Sequence, residues 1–467
     1  MTTRRSVLQW AATSTRLVVG AAIAAGTVFV VGLGIAAPWP TVSTEAAAVE
    51  VTPAPADTDA VCTGGLLALG RNVADASQLE LAAPQEVVSG TDGADARSAT
   101  LVASPAVEGD VGAEVLTAPP TDGVRTDVSA AGSASVEAAD LRGFAASACR
   151  APAMESWLVG GATTTGAADV IVLGNPGEEP ATVQLTMYAA AGPETPASAR
   201  GIVVAPGTRK LVPLAAIGVG EEAPVVRVTA EGAAVTAALQ SSITRTLLPG
   251  GVDQTGPSAA AAETVVIPGV TVTDGAVAVA EAGATTRVRI LSATVDATAR
   301  VAVTGARGDV VAEAEVPLTA GVPAEAGLSD LAAGVYTVTV TADSPVVAAT
   351  WQTTGFGEHA DFAWYAGAPR LEGTTLFAVP EGPAPRLAVT AATDAVVTVE
   401  PLRGGRGEDV EVDAGDTALV EVSAGGVYRL HTEGTVHASV LFEAADALAG
   451  YPVQPADADA AVLTVYP

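Results

Sequence analysis

The chain has 467 residues, 52 acidic side chains against 22 Lys and Arg, and a net charge of -30. That balance excludes a nucleic-acid binder, which needs a basic surface to displace counterions from phosphates. An apolar fraction of 49% excludes wholesale disorder, while 4% aromatics, 49 Gly and 30 Pro point to many short strands broken by turns.

The first element is a membrane address. Residues 17–37, LVVGAAIAAGTVFVVGLGIAA, carry no charge and are long enough to cross a bilayer as a helix. Arg4, Arg5 and Arg16 precede this run, and no acidic residue appears before Glu45. The positive-inside rule then gives a cytoplasmic tail over 1–16, a transmembrane helix over 17–37 and an extracytoplasmic body. A cleaved signal peptide ending near Ala46–Ala48 and a twin-arginine export signal at Arg4-Arg5 are the rivals, and both still export the body. The exported part carries 19 basic against 52 acidic residues, a net of -33.

Residues 38–60, rich in Ala, Thr and Pro, read as an extended linker. A first region follows over 61–153, bracketed by Cys62 and Cys149. Two cysteines in an exported region read as a disulfide. In the chain-entropy model such a bridge stabilises by up to roughly 4–5 kcal/mol.

The remainder repeats itself. VRVTAEGAAVTAALQ at 226–240 and VTVTADSPVVAATWQ at 338–352 share seven of fifteen positions, and YRLHTEGTVHASV at 428–440 is a third copy with one residue deleted. Each copy reads as strand, tight turn, strand: a hairpin. The first two copies lie 112 residues apart, the size of an immunoglobulin-like sandwich. The expected fold is therefore all-β: three tandem sandwiches at 154–262, 263–368 and 369–467 behind one transmembrane helix. A propeller-like arrangement of paired blades is the alternative.

The stretch from Leu141 to Pro176 is the most distinctive, with Cys149, Pro152, Glu155, Trp157, Val159-Gly160-Gly161, Thr163 to Gly166 and Asn175-Pro176. It resembles an actinobacterial family of membrane-anchored envelope proteins, domain-of-unknown-function family 5719. The resemblance extends upstream through Cys62, Leu66 to Gly70 and Thr117 to Pro120, and downstream to about Gly269. It implies an exported, tethered, non-enzymatic protein of a high-GC Gram-positive bacterium. Read as residues, Trp157 fills a core where modules meet, Gly160 and Gly161 permit close backbone approach, and Asn175-Pro176-Gly177 is a turn.

One window breaks the aromatic scarcity. WQTTGFGEHADFAWY, 351–365, holds Trp351, Phe356, Phe362, Trp364 and Tyr365, five of the chain's 17 aromatics, with His359 and Asp361 interleaved. It reads either as packing at the junction of the second and third sandwiches or as a sugar-binding platform. Asp361 has a loose counterpart in Asp253, which reads as a repeated turn or cap. His431 and His437 flank a turn with Glu433 but make a weak metal set. The acidic run Glu408, Asp409, Glu411, Asp413 and Asp416 reads as a solvated strand edge, with a calcium site as the alternative. Neither a metal nor a cofactor is called for, and no catalytic motif stands out.

The expectation is thus a non-catalytic, membrane-tethered envelope protein. Its partners are envelope proteins or wall polysaccharide, together with the bilayer through 17–37. A carbohydrate-binding protein using the 351–365 aromatics is the alternative, and a wall-processing hydrolase ranks last.

Overall fold

The structure, a computed structural model, describes residues 4–36, 49–51, 54–71, 78–456 and 463–465. It divides into two units, Met1–Pro53 with Ala461–Pro467, and Ala54–Ala460. In the first unit, Arg4–Ala36 is one helix. Its segment Ser14–Ala36 is apolar and long enough to cross a membrane, and Leu17, Phe29 and Ile35 are exposed. Val49–Val51 pairs antiparallel with Leu463–Val465. Ala37, the small residues Ala46–Ala48 and most of the expected linker lie outside the described residues. The end of that linker belongs to the body instead: Thr58–Val61 is a strand paired with Ala113–Ala118.

The second unit is built almost wholly of strands, and three stretches of it share one strand order. In the middle stretch, one sheet runs Val310–Leu318, Ala297–Thr304, the first half of Gly334–Thr353, and Ala262–Val272. The facing sheet runs Ala324–Leu328, Thr286–Leu291, the second half of Gly334–Thr353, and Phe362–Ala366. The last stretch repeats this order around Gly426–Ala444. The earlier stretch repeats it with Val225–Glu231 and Thr236–Arg245. We call these the first, second and third modules. Each closes over its own core, with Leu173 and Leu185, Ile290 and Val301, and Leu387 and Val440 at the respective centres.

The expected hairpins are corrected. The two halves of each repeated segment do not pair with each other. In the second and third modules they form one long strand that bends from one sheet into the facing sheet. In the first module the same path is interrupted between Glu231 and Thr236. Just before the bend, Val338–Ala342 alternates buried and more exposed positions, as on a half-solvated sheet. Beyond it, Val346–Thr353 is buried throughout, because both faces are covered.

The second face, with Val347, Ala349 and Trp351, packs against Trp157, Tyr188 and Val225 of the first module, and the modules meet further in a ring. The strands Leu248–Thr255, Phe362–Ala366 and Ala447–Pro452, one from each module, pack against one another and against Arg142–Ala148 of the first region, closing a cycle. The region around the disulfide is therefore no separate bead on the chain. Its sheet of Glu86–Thr91, Val128–Glu137 and Arg142–Ala148 supplies the fourth member. Its strand Arg97–Ala103 extends the first module's sheet by a short parallel pairing with Thr208–Pro213. Cys62 and Cys149 are bonded.

Candidate functional site

Asp361 sits where the ring closes. Its side chain is fully buried. Oδ2 accepts hydrogen bonds from the Phe144 amide at 3.0 Å and the Leu448 amide at 3.1 Å, and Oδ1 accepts one from the Val252 amide at 3.1 Å. These donors come from the first region, the third module and the first module, while Asp361 belongs to the second. Its own amide donates to Thr354 Oγ1 at 2.9 Å. Gly143 and Gly251 make the approach possible. Both have positive φ, and a Cβ on Gly143 would lie 2.5 Å from Asp361 Oδ1, one on Gly251 2.9 Å from its Cα. Burial pushes the Asp361 carboxyl well above the usual range, against the pull of the amides it accepts. The local turn or cap expected for Asp361 is thus corrected: its side chain ties four parts of the fold together.

Asp253 is buried too, and accepts from the Trp364 amide at 2.8 Å and from Thr255 Oγ1 at 2.5 Å. Burial pushes its carboxyl up to about 7.

The expected junction of the second and third modules is corrected: most of the aromatic window lies between the first and second, while Tyr365 packs towards the third, beside Leu448 and Gly450. Trp351, Phe362, Trp364 and Tyr365 are all at most 6% exposed. Trp351, Phe362 and Trp364 share one apolar cluster with Trp157, Tyr188 and Val225. Trp157 packs 5.5 Å from Tyr188. Gly160 lets Trp364 lie against the backbone, since a Cβ there would meet the indole at 3.2 Å. Phe356 is half-buried, and His359 is exposed beside the Arg142 guanidinium. A sugar platform needs open ring faces, and the buried members of this window offer none.

Arginines take those faces instead. Arg289 lies over Trp364 at 4.6 Å, Arg287 over Trp351 at 5.4 Å and Arg245 over Phe356 at 5.2 Å. The three border a cleft of about 440 Å³ between the modules. Arg289, 2% exposed, rivets them together: it donates to the carbonyls of Gly161 and Pro224 at 2.8 Å and of Glu222 at 3.2 Å, and pairs with Glu325 at 2.7 Å. Arg245 makes only a 3.4 Å bond to the Gly250 carbonyl, and Arg287 is exposed. Burial and the neighbouring Arg287 both lower the pKa of Arg245. Asp169 borders the same cleft, but both its oxygens are taken by amides, of Ala162 at 2.7 Å and Ser242 at 2.9 Å. Burial pushes its carboxyl up to about 7.

The other sequence candidates stay apart from this cleft. Glu408–Val412 is an edge strand, with Glu408, Asp409 and Glu411 exposed. His431 bonds Thr374 at 2.9 Å and His437 bonds the Ala368 carbonyl at 3.0 Å, on opposite sides of the bend. Among the described residues no group of His, Cys, Asp and Glu is arranged to hold a metal. Asn175 does close the expected turn, accepting from the Gly177 amide at 3.0 Å. The arginine trio was missed in the sequence. The available signal was Arg287-Val-Arg289, two cations on one face of a strand.

The family model described as "Family of unknown function (DUF5719)" matches residues 102–423. No curated protein and no solved structure matches the chain.

Proposed function

Because the chain belongs to the DUF5719 family, whose description assigns no activity, we propose on physical grounds that it is a non-catalytic, membrane-tethered protein of the cell envelope that presents a rigid β surface to other envelope components. The apolar helix carries the reading. Ser14–Ala36 has a mean hydropathy of 2.3 and leaves its large apolar side chains exposed, and a bilayer is the solvent that removes that cost. Arg4, Arg5 and Arg16 on its N-terminal side orient the body outward. A disulfide and a surplus of carboxylates fit a body held outside the cytoplasm. We read the three repeats as immunoglobulin-like, from two facing sheets in about a hundred residues each. Their interlock through Asp361 favours a fixed presenting surface over a set of swivelling domains.

The test is fractionation of cells expressing the full chain with a C-terminal tag. The chain should stay in the membrane pellet after alkaline carbonate, and protease added to cells stripped of their wall should remove the tag. A tag that remains in the cytosolic fraction overturns the reading.

A further inference from the structure

We propose that the cleft between the first and second modules binds a phosphomonoester through Arg245 and Arg287. This rests on the interaction reading above and names the ligand class. Three observations carry it.

The first is the division of labour among the three arginines. Arg289 is consumed by the fold, its charge met by Glu325 and its remaining donors by carbonyls of the first module. Arg245 and Arg287 have no carboxylate partner among the ion pairs of the described residues. Two adjacent guanidiniums repel, and in a chain with 52 carboxylates nothing forces them to remain unpaired. Held together, they are arranged for a charge from outside.

The second is preorganisation. Each guanidinium is laid on an aromatic ring, Phe356 for Arg245 and Trp351 for Arg287. The rings are fixed or half-fixed by the module core. Stacking leaves the edge of a guanidinium plane, where its N–H groups lie, free for hydrogen bonding. The aromatic window thus acts as a mount for cations.

The third is charge matching. A carboxylate has two oxygens, which one arginine fork satisfies. A phosphomonoester carries about -1.5 to -2 at neutral pH and has three terminal oxygens. It can occupy two forks together. The cleft volume of about 440 Å³ leaves room for an organic body beside the phosphate. That body can belong to a free sugar phosphate or to the phosphorylated end of a glycan, since the cleft contacts described concern the phosphate alone.

The experiment is a titration of the full chain in detergent, followed by tryptophan fluorescence and calorimetry, with inorganic phosphate, glucose 6-phosphate, phosphorylated dextran, plain dextran and glucuronate. Saturable binding of one or more of the phosphate probes is expected, and at least tenfold weaker binding by Arg245→Gln and by Arg287→Gln. Glucose 6-phosphate alone identifies a small-molecule source, and phosphorylated dextran alone a glycan source. Glucuronate or plain dextran binding as tightly as the phosphates overturns the proposal. So does phosphate binding that both variants leave unchanged, or no binding by wild type. Fractionation is scored separately: a chain that is retained in the membrane but ignores phosphate sinks this inference and leaves the tether standing, whereas a cytosolic chain that binds phosphate does the reverse.

Discussion

Two polar places in this body answer the same problem in opposite ways. At the centre of the ring, the Asp361 acceptors are met by amides of the surrounding modules, and the residue is closed to solvent. At the rim of the first junction, Arg245 and Arg287 hold donors that the fold leaves over. Buried polar groups that are fully satisfied specify a structure, whereas surplus donors on a rigid mount can bind a ligand. The comparison teaches where to look for function in a repeat protein of this kind: at the polar groups the fold does not use.

The centre can be broken with the largest effect. Asp361→Ala strands the amides of Phe144, Val252 and Leu448 together, and each buried unsatisfied donor costs about 1–3 kcal/mol. A loss of about 3–5 kcal/mol is expected in urea unfolding, with all four parts of the body weakened in one transition. Asp361→Asn keeps one acceptor oxygen in place and should lose about half as much. If Asn and Ala are equally harmful, the residue matters for volume and not for its acceptors.

The buried carboxylates of the centre and of the cleft wall also make stability depend on pH. Asp169 and Asp253 are raised to about 7 from an ordinary 3.8, and burial also raises Asp361 well above that ordinary value. Each is therefore protonated in the folded chain at pH values where the unfolded chain has lost the proton. Their contribution is complete below the unfolded value and drains as pH rises towards the folded one, by at most about 1.4 kcal/mol per pH unit for each group. Urea midpoints should fall between pH 5 and 7, and Asp253→Asn should flatten that slope. Midpoints that climb over the same interval, with Asp253→Asn parallel to wild type, would mean that these carboxylates fold as anions.

Much of the architecture was legible in the sequence. Short apolar runs gave the strands, the 112-residue spacing gave the module length, and the two cysteines gave their bond. The hairpins were misread because a turn signal such as Ala342-Asp343-Ser344-Pro345 marks a sharp bend and does not say whether the chain then returns to its own sheet. The apolar run from Val346 to Ala349 was the clue, since a hairpin strand with one wet face alternates. The roles of the repeated glutamines were not legible either. Gln240 exchanges two hydrogen bonds with the Leu67 backbone, at 2.8 and 2.7 Å, while Gln352 accepts from Thr286 at 2.5 Å. Equivalent positions meet different neighbours because only the first module faces the strand Leu66–Leu69. The Asp361 junction was hidden for the same reason: its donors lie more than eighty residues away, and no local pattern marks an amide as spare.

The smallest expected effect on stability is at the rim, and it separates the two kinds of place most sharply. Arg287 is exposed on its strand, and its removal loses the contact with the Trp351 face. Exposed cation–π contacts contribute about 0.5–1 kcal/mol, and relief of the repulsion from Arg245 works in the other direction. Arg287→Ala should therefore move the urea midpoint within about 0.5 kcal/mol of wild type. Arg289→Ala, two residues along on the same face, strands three carbonyls and Glu325, and should cost clearly more. Equal losses at the two positions would place Arg287 among the rivets and remove the distinction between donors the fold uses and donors it leaves free.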